Sequence, residues 1–519
     1  MATMAPPSSM APGLRRNMVT VCAMTATIMQ ALDTTIANVA LPYMQGTLSA
    51  SQDQINWVLT SYIVAAAIMT TPVGWIAKRF GHKRVFIVCS AGFTVASVLC
   101  GLAQDINQMV LFRLMQGVFG ASLIPLSQAL MLDSYTLQER AKAMSIWGMG
   151  VMIGPIMGPS LGAWLTEMYS WHWVFFINLP FGIITVLGLV LFMDETPKDM
   201  TLRFDWLGFT ALAVGIGSLQ IALDRGEQLG WLESGEIIAE YIISAVGFYY
   251  FFAHSLTTPK PFIQFALFKD KNFVGGCVFM IVMGLLVFST MALASPFLQN
   301  VIGYPIITAG MLLASRGFGT LAAMMAVGRL MRYIEARTLI ISGLALTCTS
   351  LFYMTAWTDQ TGVPEIVVVS VIQGLGVGLV FVPLSTVAFL TLPGHLRTDG
   401  ASMMTLLRNV ASSIGISLVI SQLTQSTRHT HAVLSEYINP FNHALQMPSI
   451  RGIIDLTTDK GRAMAEAMVN VQAQIIAFSH DNQLLMIVTV LAIPLALMIG
   501  SSKMALRRQA SGPEHSVME

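Results

Sequence analysis

The chain has 519 residues, 55% of them hydrophobic and 11% charged, with a mean hydropathy of +0.67. Soluble domains carry about 25% charged residues, so the composition excludes a soluble globular protein and places the chain in a membrane. A formal net charge of +1 argues against a nucleic-acid partner, because no basic face is available to neutralise phosphates.

The opening stretch MATMAPPSSMAPGLRRN has neither an apolar core nor a small-residue cleavage site. It reads as a cytoplasmic tail, 1–17, and not as a removable signal. Runs of about twenty apolar residues then predict fourteen spans: 18–42, 55–77, 84–103, 106–132, 141–166, 171–193, 205–223, 236–257, 273–298, 305–328, 338–357, 364–392, 399–424 and 482–502. A long outward segment, 425–481, precedes the last span, and a cytoplasmic tail, 503–519, follows it. All five cysteines (Cys22, Cys89, Cys100, Cys277, Cys348) fall in apolar segments without metal-ligand spacing, so they read as packing residues.

Basic residues test this topology. With both ends in the cytoplasm, the inward loops and tails collect 20 of the 28 Lys and Arg, while the six short outward loops hold only Arg225. That is the positive-inside asymmetry, and an odd miscount of spans would scramble it.

The chain also echoes itself. GWIAKRFGHKR (74–84) after span 2 resembles GRLMRYIEAR (328–337) after span 10, and QGVFGASLIPLS in span 4 resembles QGLGVGLVFVPLS in span 12. Gln116 and Gln373 lie 257 apart (373 − 116), and so do Arg140 and Arg397 (397 − 140). Several echoes in order imply duplication. Each half (18–193 and 273–502) owns six helices, and 205–257 is an inserted transmembrane hairpin. A parallel repeat of six-helix halves is the major facilitator architecture, with its binding site near the midplane.

The motifs LDTTIANVALP, GWIAKRFGHKR, FRLMQG, GPIMGPSLG (154–162) and WHWVFFINLPFG (171–182) resemble those of fourteen-helix drug/proton antiporters of the EmrB/QacA type, closest to EmrB. The resemblance covers nearly the whole chain. It implies an all-α integral membrane protein of the bacterial inner membrane, driven by the proton gradient without a cofactor. Among its partners would be a periplasmic adaptor (a membrane fusion protein, EmrA-like) and an outer-membrane channel (TolC-like). Two departures stand out: the family usually has an acid at the position of Lys78, although the EmrB branch shares the Lys, and Trp-Arg-Trp where this chain has Trp171, His172 and Trp173.

Asp33 is the only acid that this reading places well inside a span; Arg113, Arg316 and Arg408 are the only bases. At about 1.5 Å per residue, Asp33 lies roughly 13 Å and Arg113 roughly 10 Å below the outer surface, close enough to compensate each other. A structural ion pair is one reading. A proton-coupling site is the other, favoured because an intramembrane acid is by default a pathway residue. Burial favours the neutral acid and the arginine favours the ion, so a rocking motion that changes their separation would switch proton affinity.

Gly150, Gly154, Gly158 and Gly162 form a smooth stripe on span 5, which suits close helix approach, and Pro155 and Pro159 permit bending. Span 13, the repeat partner, has ASSIGIS instead, so the device belongs to one half; in the family it implies export. Gly74 and Gly81 bracket the basic turn carrying Lys78 and Arg84, which reads as a conformational latch as well as a topology signal.

With one membrane acid, cargo is expected to be lipophilic and neutral, weakly acidic or monovalent. Candidate pocket residues are Asn38, Gln116, Gln128, Trp147 and Asn178, polar or aromatic groups within first-half spans; 35 methionines suit an adaptable pocket or simply a membrane core. Within 425–481, RGIIDLTTDKGRAMAEAMVNVQAQIIAF reads as an amphipathic helix suited to an adaptor. No phosphate-binding loop of the G-x-x-x-x-G-K-S/T type occurs, so an ion gradient is the expected drive. An exporter of one metabolite, lipid or siderophore is the main alternative. A membrane enzyme would need a nucleophile–base set or metal cluster that these spans do not provide. A receptor or scaffold would need neither the buried acid nor the duplication.

Overall fold

The computed structural model describes residues 12–498 except 197, 259–260, 440, 444, 446 and 448–454. The 503–519 tail and residues 1–11 of the N-terminal tail therefore lie outside the described residues. Within them every regular element is helical. Thirteen helices are long and apolar enough to cross a membrane, and a bent pair makes a fourteenth.

The first half comprises α1 (Pro12–Thr47), α2 (Gln52–Thr70), α3 (Val73–Phe80), α4 (His82–Gly101), α5 (Ile106–Gly120), α6 (Leu123–Ser134), α7 (Arg140–Met168), α8 (Trp173–Phe176) and α9 (Asn178–Phe192). Three predicted spans are each broken in two. Span 2 becomes α2 and α3, bent by 57°, because Pro72 lacks the N–H that would carry the ladder across Thr71. Span 4 breaks at Ala121–Ser122, just before Pro125, and span 6 at Ile177. At its start, α2 is fixed by a capping box between Ser51 and Gln54.

Next come α10 (Trp206–Leu229) and α11 (Gly235–Thr257), the inserted hairpin, then α12 (Lys271–Pro296), α13 (Ile306–Leu330), α14 (Ala336–Met354), α15 (Val363–Ala388), α16 (Arg397–Glu436) and α17 (Asp459–Leu495). The last two differ most from the sequence reading. At 40 and 37 residues they are roughly 60 and 55 Å long, about twice the hydrocarbon thickness. Much of the segment read as an outward loop thus continues these two spans as helix. His431 Nε2 meets Glu466 at 2.8 Å and Ser426 Oγ meets His480 Nδ1 at 3.3 Å, which pairs their projecting ends.

The chain divides into two compact units. Unit 1 is 1–219, 242–273 and 388–406; unit 2 is 220–241, 274–387 and 407–519. In unit 1, α1 packs against α6, α7 and α9. One apolar cluster joins Met29, Tyr62, Phe86 and Phe93; another joins Ile36, Met109, Trp171 and Phe175. In unit 2, α14 packs against α17, around a cluster containing Phe297, Trp357, Phe478 and Leu485. Glycines set close helix approaches there: a Cβ on Gly319 would meet the α15 backbone at Leu375 (3.0 Å), and one on Gly415 the α12 backbone at Leu285 (3.0 Å).

Candidate functional site

Asp33 sits in α1 with no solvent exposure. Its carboxyl accepts three hydrogen bonds from two other helices. Arg113 Nη1 donates to Oδ2 at 2.8 Å; Gln116 Nε2 and Asn178 Nδ2 donate to Oδ1 at 2.7 and 3.2 Å. Spacing explains the first pair: Arg113 and Gln116 are i,i+3 on α5 and so share a face. Asn178 begins α9, and its amide also donates to Ser97 Oγ of α4 at 3.0 Å. The Asp33–Arg113 proximity expected from depth is therefore present as a direct ion pair.

Arg113 is fixed from several sides. Nε donates to the Val58 carbonyl of α2 at 3.0 Å, and Nη1 also donates to Gln116 Oε1 at 2.8 Å. Its guanidinium lies over Tyr62, 4.4 Å from the ring centroid, and 5.5 Å from that of Phe175, where an aromatic face offers a buried cation further compensation. Tyr62 and the Val58 carbonyl were invisible to sequence reasoning, since nothing local marks an aromatic or a carbonyl as facing a particular arginine. Gln116 and Asn178, expected to line a substrate pocket, instead have their amides engaged by Asp33.

The glycine stripe packs on the same helix. A Cβ at Gly150 would meet Met24 Cε at 2.8 Å, one at Gly154 would meet Ala31 Cβ at 2.7 Å with the Ala31 carbonyl nearer still, and one at Gly162 would meet the Ile36 carbonyl at 2.8 Å. At Gly158 it would overlap Thr35. All four contacts fall on α1, and Ala31 and Thr35 flank Asp33. Thr35 Oγ1 donates to the Gly154 carbonyl at 2.9 Å. Pro155 and Pro159, inside α7, leave the Val151 and Pro155 carbonyls without their usual i+4 donors.

A third constellation lies on the cytoplasmic side of unit 1. Lys78 pairs with Asp399 at the start of α16, Arg397 pairs with Asp133, and His82 Nε2 meets Thr398 Oγ1 at 2.8 Å. Gly74 has to be bare because the Asp399 side chain occupies the place of its Cβ. Gly81 turns the chain at φ +90°, a conformation that favours glycine. So the lysine that replaces the family's usual acid has an acid, Asp399, as its partner. Arg84 is exposed and forms none of these contacts.

The remaining pocket candidates stand apart. Asn38 is exposed. Trp147 is buried, with Nε1 donating to Ser127 Oγ at 3.1 Å, and Ser127 Oγ meets Thr27 Oγ1 at 2.7 Å. Gln128 is buried with Nε2 unpartnered among the described residues. Cavities of about 580 and 930 Å³ lie beside Lys78 and Asp199, and Asp33 lines neither. No cluster of metal ligands occurs among the described residues. His172 stacks on Trp171 with ring centroids 3.8 Å apart.

Asp33 is not the sole buried acid: Asp481, placed at the edge of the outward segment, has no solvent exposure either. Its sequence signal was an acid one residue ahead of the last apolar run. With two buried acids, the cargo restriction built on a single one loses force.

Thirteen or fourteen apolar helices among the described residues, with a buried acid on α1 paired to an arginine on α5, fit a membrane transporter. The chain belongs to the Major Facilitator Superfamily, whose family profile matches residues 23–416. Within it, the chain is a multidrug efflux transporter of the EmrB type. It is 36% identical over 438 residues to "Multidrug export protein EmrB" of Escherichia coli (strain K12), covering 83% of this chain and 84% of that protein. It is 35% identical over 427 residues to "Fatty acid resistance protein FarB" of Neisseria gonorrhoeae, covering 81% and 83%. Among solved structures, the human organic anion transporter MFSD10 (TETRAN) superposes with a TM-score of 0.56 at 12% identity, covering 92% of this chain and 100% of that one. An inward-facing, unoccupied bacterial homologue of the lysosomal transporter Spinster gives 0.55 at 17% identity, covering 96% and 98%. At such identities these two show the fold alone.

Proposed function

We propose that this transporter exports lipophilic compounds, weakly acidic ones among them, in exchange for protons, by alternating access, in a bacterial inner membrane. The observation that carries the reading is the Asp33 site. Protonating the carboxyl removes its charge and part of its capacity to accept three donors, and it leaves Arg113 uncompensated in a buried place, which costs several kcal/mol. Proton binding is thereby tied to the packing of α1 against α5 and α9. Because Asp33 is sealed in this conformation, the cycle requires those helices to shift before the proton exchanges. A membrane potential of 100 mV contributes about 2.3 kcal/mol per charge moved across it.

Two features favour the weakly acidic end of the cargo range. Arg316 and Arg408 of unit 2 are buried, each with Nε unpartnered among the described residues, and FarB is named for fatty acid resistance. The same features favour a narrower second reading, a dedicated exporter of fatty-acid-like lipids. The projecting ends of α16 and α17 support docking to a periplasmic adaptor and, through it, an outer-membrane channel.

Substrate-induced proton release from purified protein tests the coupling. Wild type is expected to release protons and Asp33→Asn to lose that release; unchanged coupling in the variant would reduce Asp33–Arg113 to a structural pair. For the adaptor, deletion of 430–475 is expected to abolish pull-down.

A further inference from the structure

Asp481 lies on the buried face of α17, one turn after Phe478 and one turn before Leu485. Phe478 stacks on Phe297 (centroids 4.0 Å) and lies nearly parallel to Trp357 (6.0 Å, 13°). Leu485 belongs to the same cluster, with Leu286, Leu293 and Met354. The acid is therefore set among apolar side chains. Neither of its oxygens has a hydrogen-bond partner among the described residues. In the same cluster Nε1 of Trp357 is also buried and unpartnered, as is Oδ1 of the adjacent Asn482, whose Nδ2 donates to the Phe478 carbonyl at 2.8 Å.

Its depth follows from the other end of the helix. Arg337 Nη2 donates to the Leu497 carbonyl at 3.2 Å, on the side that the basic loops assign to the cytoplasm. Sixteen residues (497 − 481) at 1.5 Å each put Asp481 about 24 Å above that point, inside a hydrocarbon layer of about 30 Å and near its outer edge.

The charged and titratable groups on the neighbouring elements do not compensate it. Those of α14 are Arg337, Cys348 and Tyr353, and the π-helical turn 297–301 carries none. Lys271 and Cys277 lie on α12, Tyr304 precedes α13, which holds Arg316 and Arg329, Asp359 follows Trp357, and Glu365 begins α15. On α16 within unit 2 stand Arg408, Arg428, His429, His431 and Glu436, and α17 itself carries Asp459, Lys460, Arg462, Glu466 and His480. None is bonded to Asp481, whereas Asp33 has an arginine and two amides. An isolated buried carboxylate is too costly to persist, and the group takes its neutral form instead.

We propose that Asp481 is a second proton-binding carboxyl, in the C-terminal half, loaded from the outer side and distinct from the Asp33 site. For its role in transport the proposal rests on the proton-coupled reading above, but the site itself is tested separately. The repeat does not supply it: offsetting Asp33 by 257 gives Thr290 (33 + 257), whose Oγ1 accepts from Arg316 Nη1 at 3.1 Å. The second half thus has no acid at the duplicated position and carries one on its last helix.

Infrared difference spectroscopy of the purified full-length protein decides the matter. Wild type minus Asp481→Asn is expected to show the carbonyl band of a protonated acid at pH 7, lost on alkalinisation and retained in an Asp33→Asn background. Wild type grown with 13C-labelled aspartate should shift the same band without any substitution. Absence of the band at pH 7 would overturn the proposal, as would its persistence at every pH, which marks a permanently neutral structural acid. Loss of the band on adding Na⁺ at fixed pH would assign the carboxyl to a metal cation and overturn it too. Failure of the Asp33 coupling assay leaves each of these outcomes unaffected.

Discussion

Replacing Gly154 with alanine adds one carbon at the closest approach of α7 to α1. That carbon would stand 2.7 Å from Ala31 Cβ, with the Ala31 carbonyl nearer, against an ordinary contact of about 3.4–4 Å. The helices must separate by roughly 1 Å to admit it. Overpacking of this kind costs about 1–3 kcal/mol. The same movement stretches the 2.9 Å bond from Thr35 Oγ1 to the Gly154 carbonyl, for about 0.6 kcal/mol more. A penalty of about 2 kcal/mol confined to the conformation in which α1 and α7 touch shifts its population about thirty-fold. Thermal unfolding followed by a thiol-reactive fluorophore reads the stability, since Cys22, Cys100 and Cys277 are buried; efflux from proteoliposomes reads the conformational bias. Both are expected to fall. Gly46→Ala is the control: nothing lies within 4 Å of its Cβ position, and exchanging a helical glycine for alanine there should stabilise by up to about 1 kcal/mol. Wild-type unfolding and efflux in Gly154→Ala would refute the packing argument.

A further outcome follows from the cytoplasmic face. Lys78 and Asp399 are only 20% and 17% exposed, so a double-mutant cycle with Lys78→Met and Asp399→Asn, which keeps the shape that fits over Gly74, is expected to give about 1–2 kcal/mol of coupling in thermal unfolding; coupling near zero would make the pair incidental.

Local chemistry accounts for what could be read in advance. Span number follows from the length of apolar runs, because a bilayer demands about twenty residues whatever their neighbours. The duplication, the lone acid of span 1 and its arginine, and the glycine stripe are likewise properties of order and spacing along the chain. What escaped, apart from the Asp33–Arg113 pair, was most of what residues far apart in sequence make together. Gln116 and Asn178 looked like pocket residues because a buried amide suits either a ligand or a carboxylate, and only the placement of α5 and α9 against α1 chooses between them. Lys78 stood in a turn that read as a latch, but its partner Asp399, 321 residues away, could be found only in the fold. Asp481 looked like a loop acid because hydropathy averages over a window and cannot see that one helix face is buried beyond the apolar run. Sequence alone determined that this is a duplicated helical transporter with charge in its first span, since composition and period are local. Tertiary structure decided which charges are satisfied and which stand alone, since desolvation and pairing depend on what the fold brings within about 3 Å.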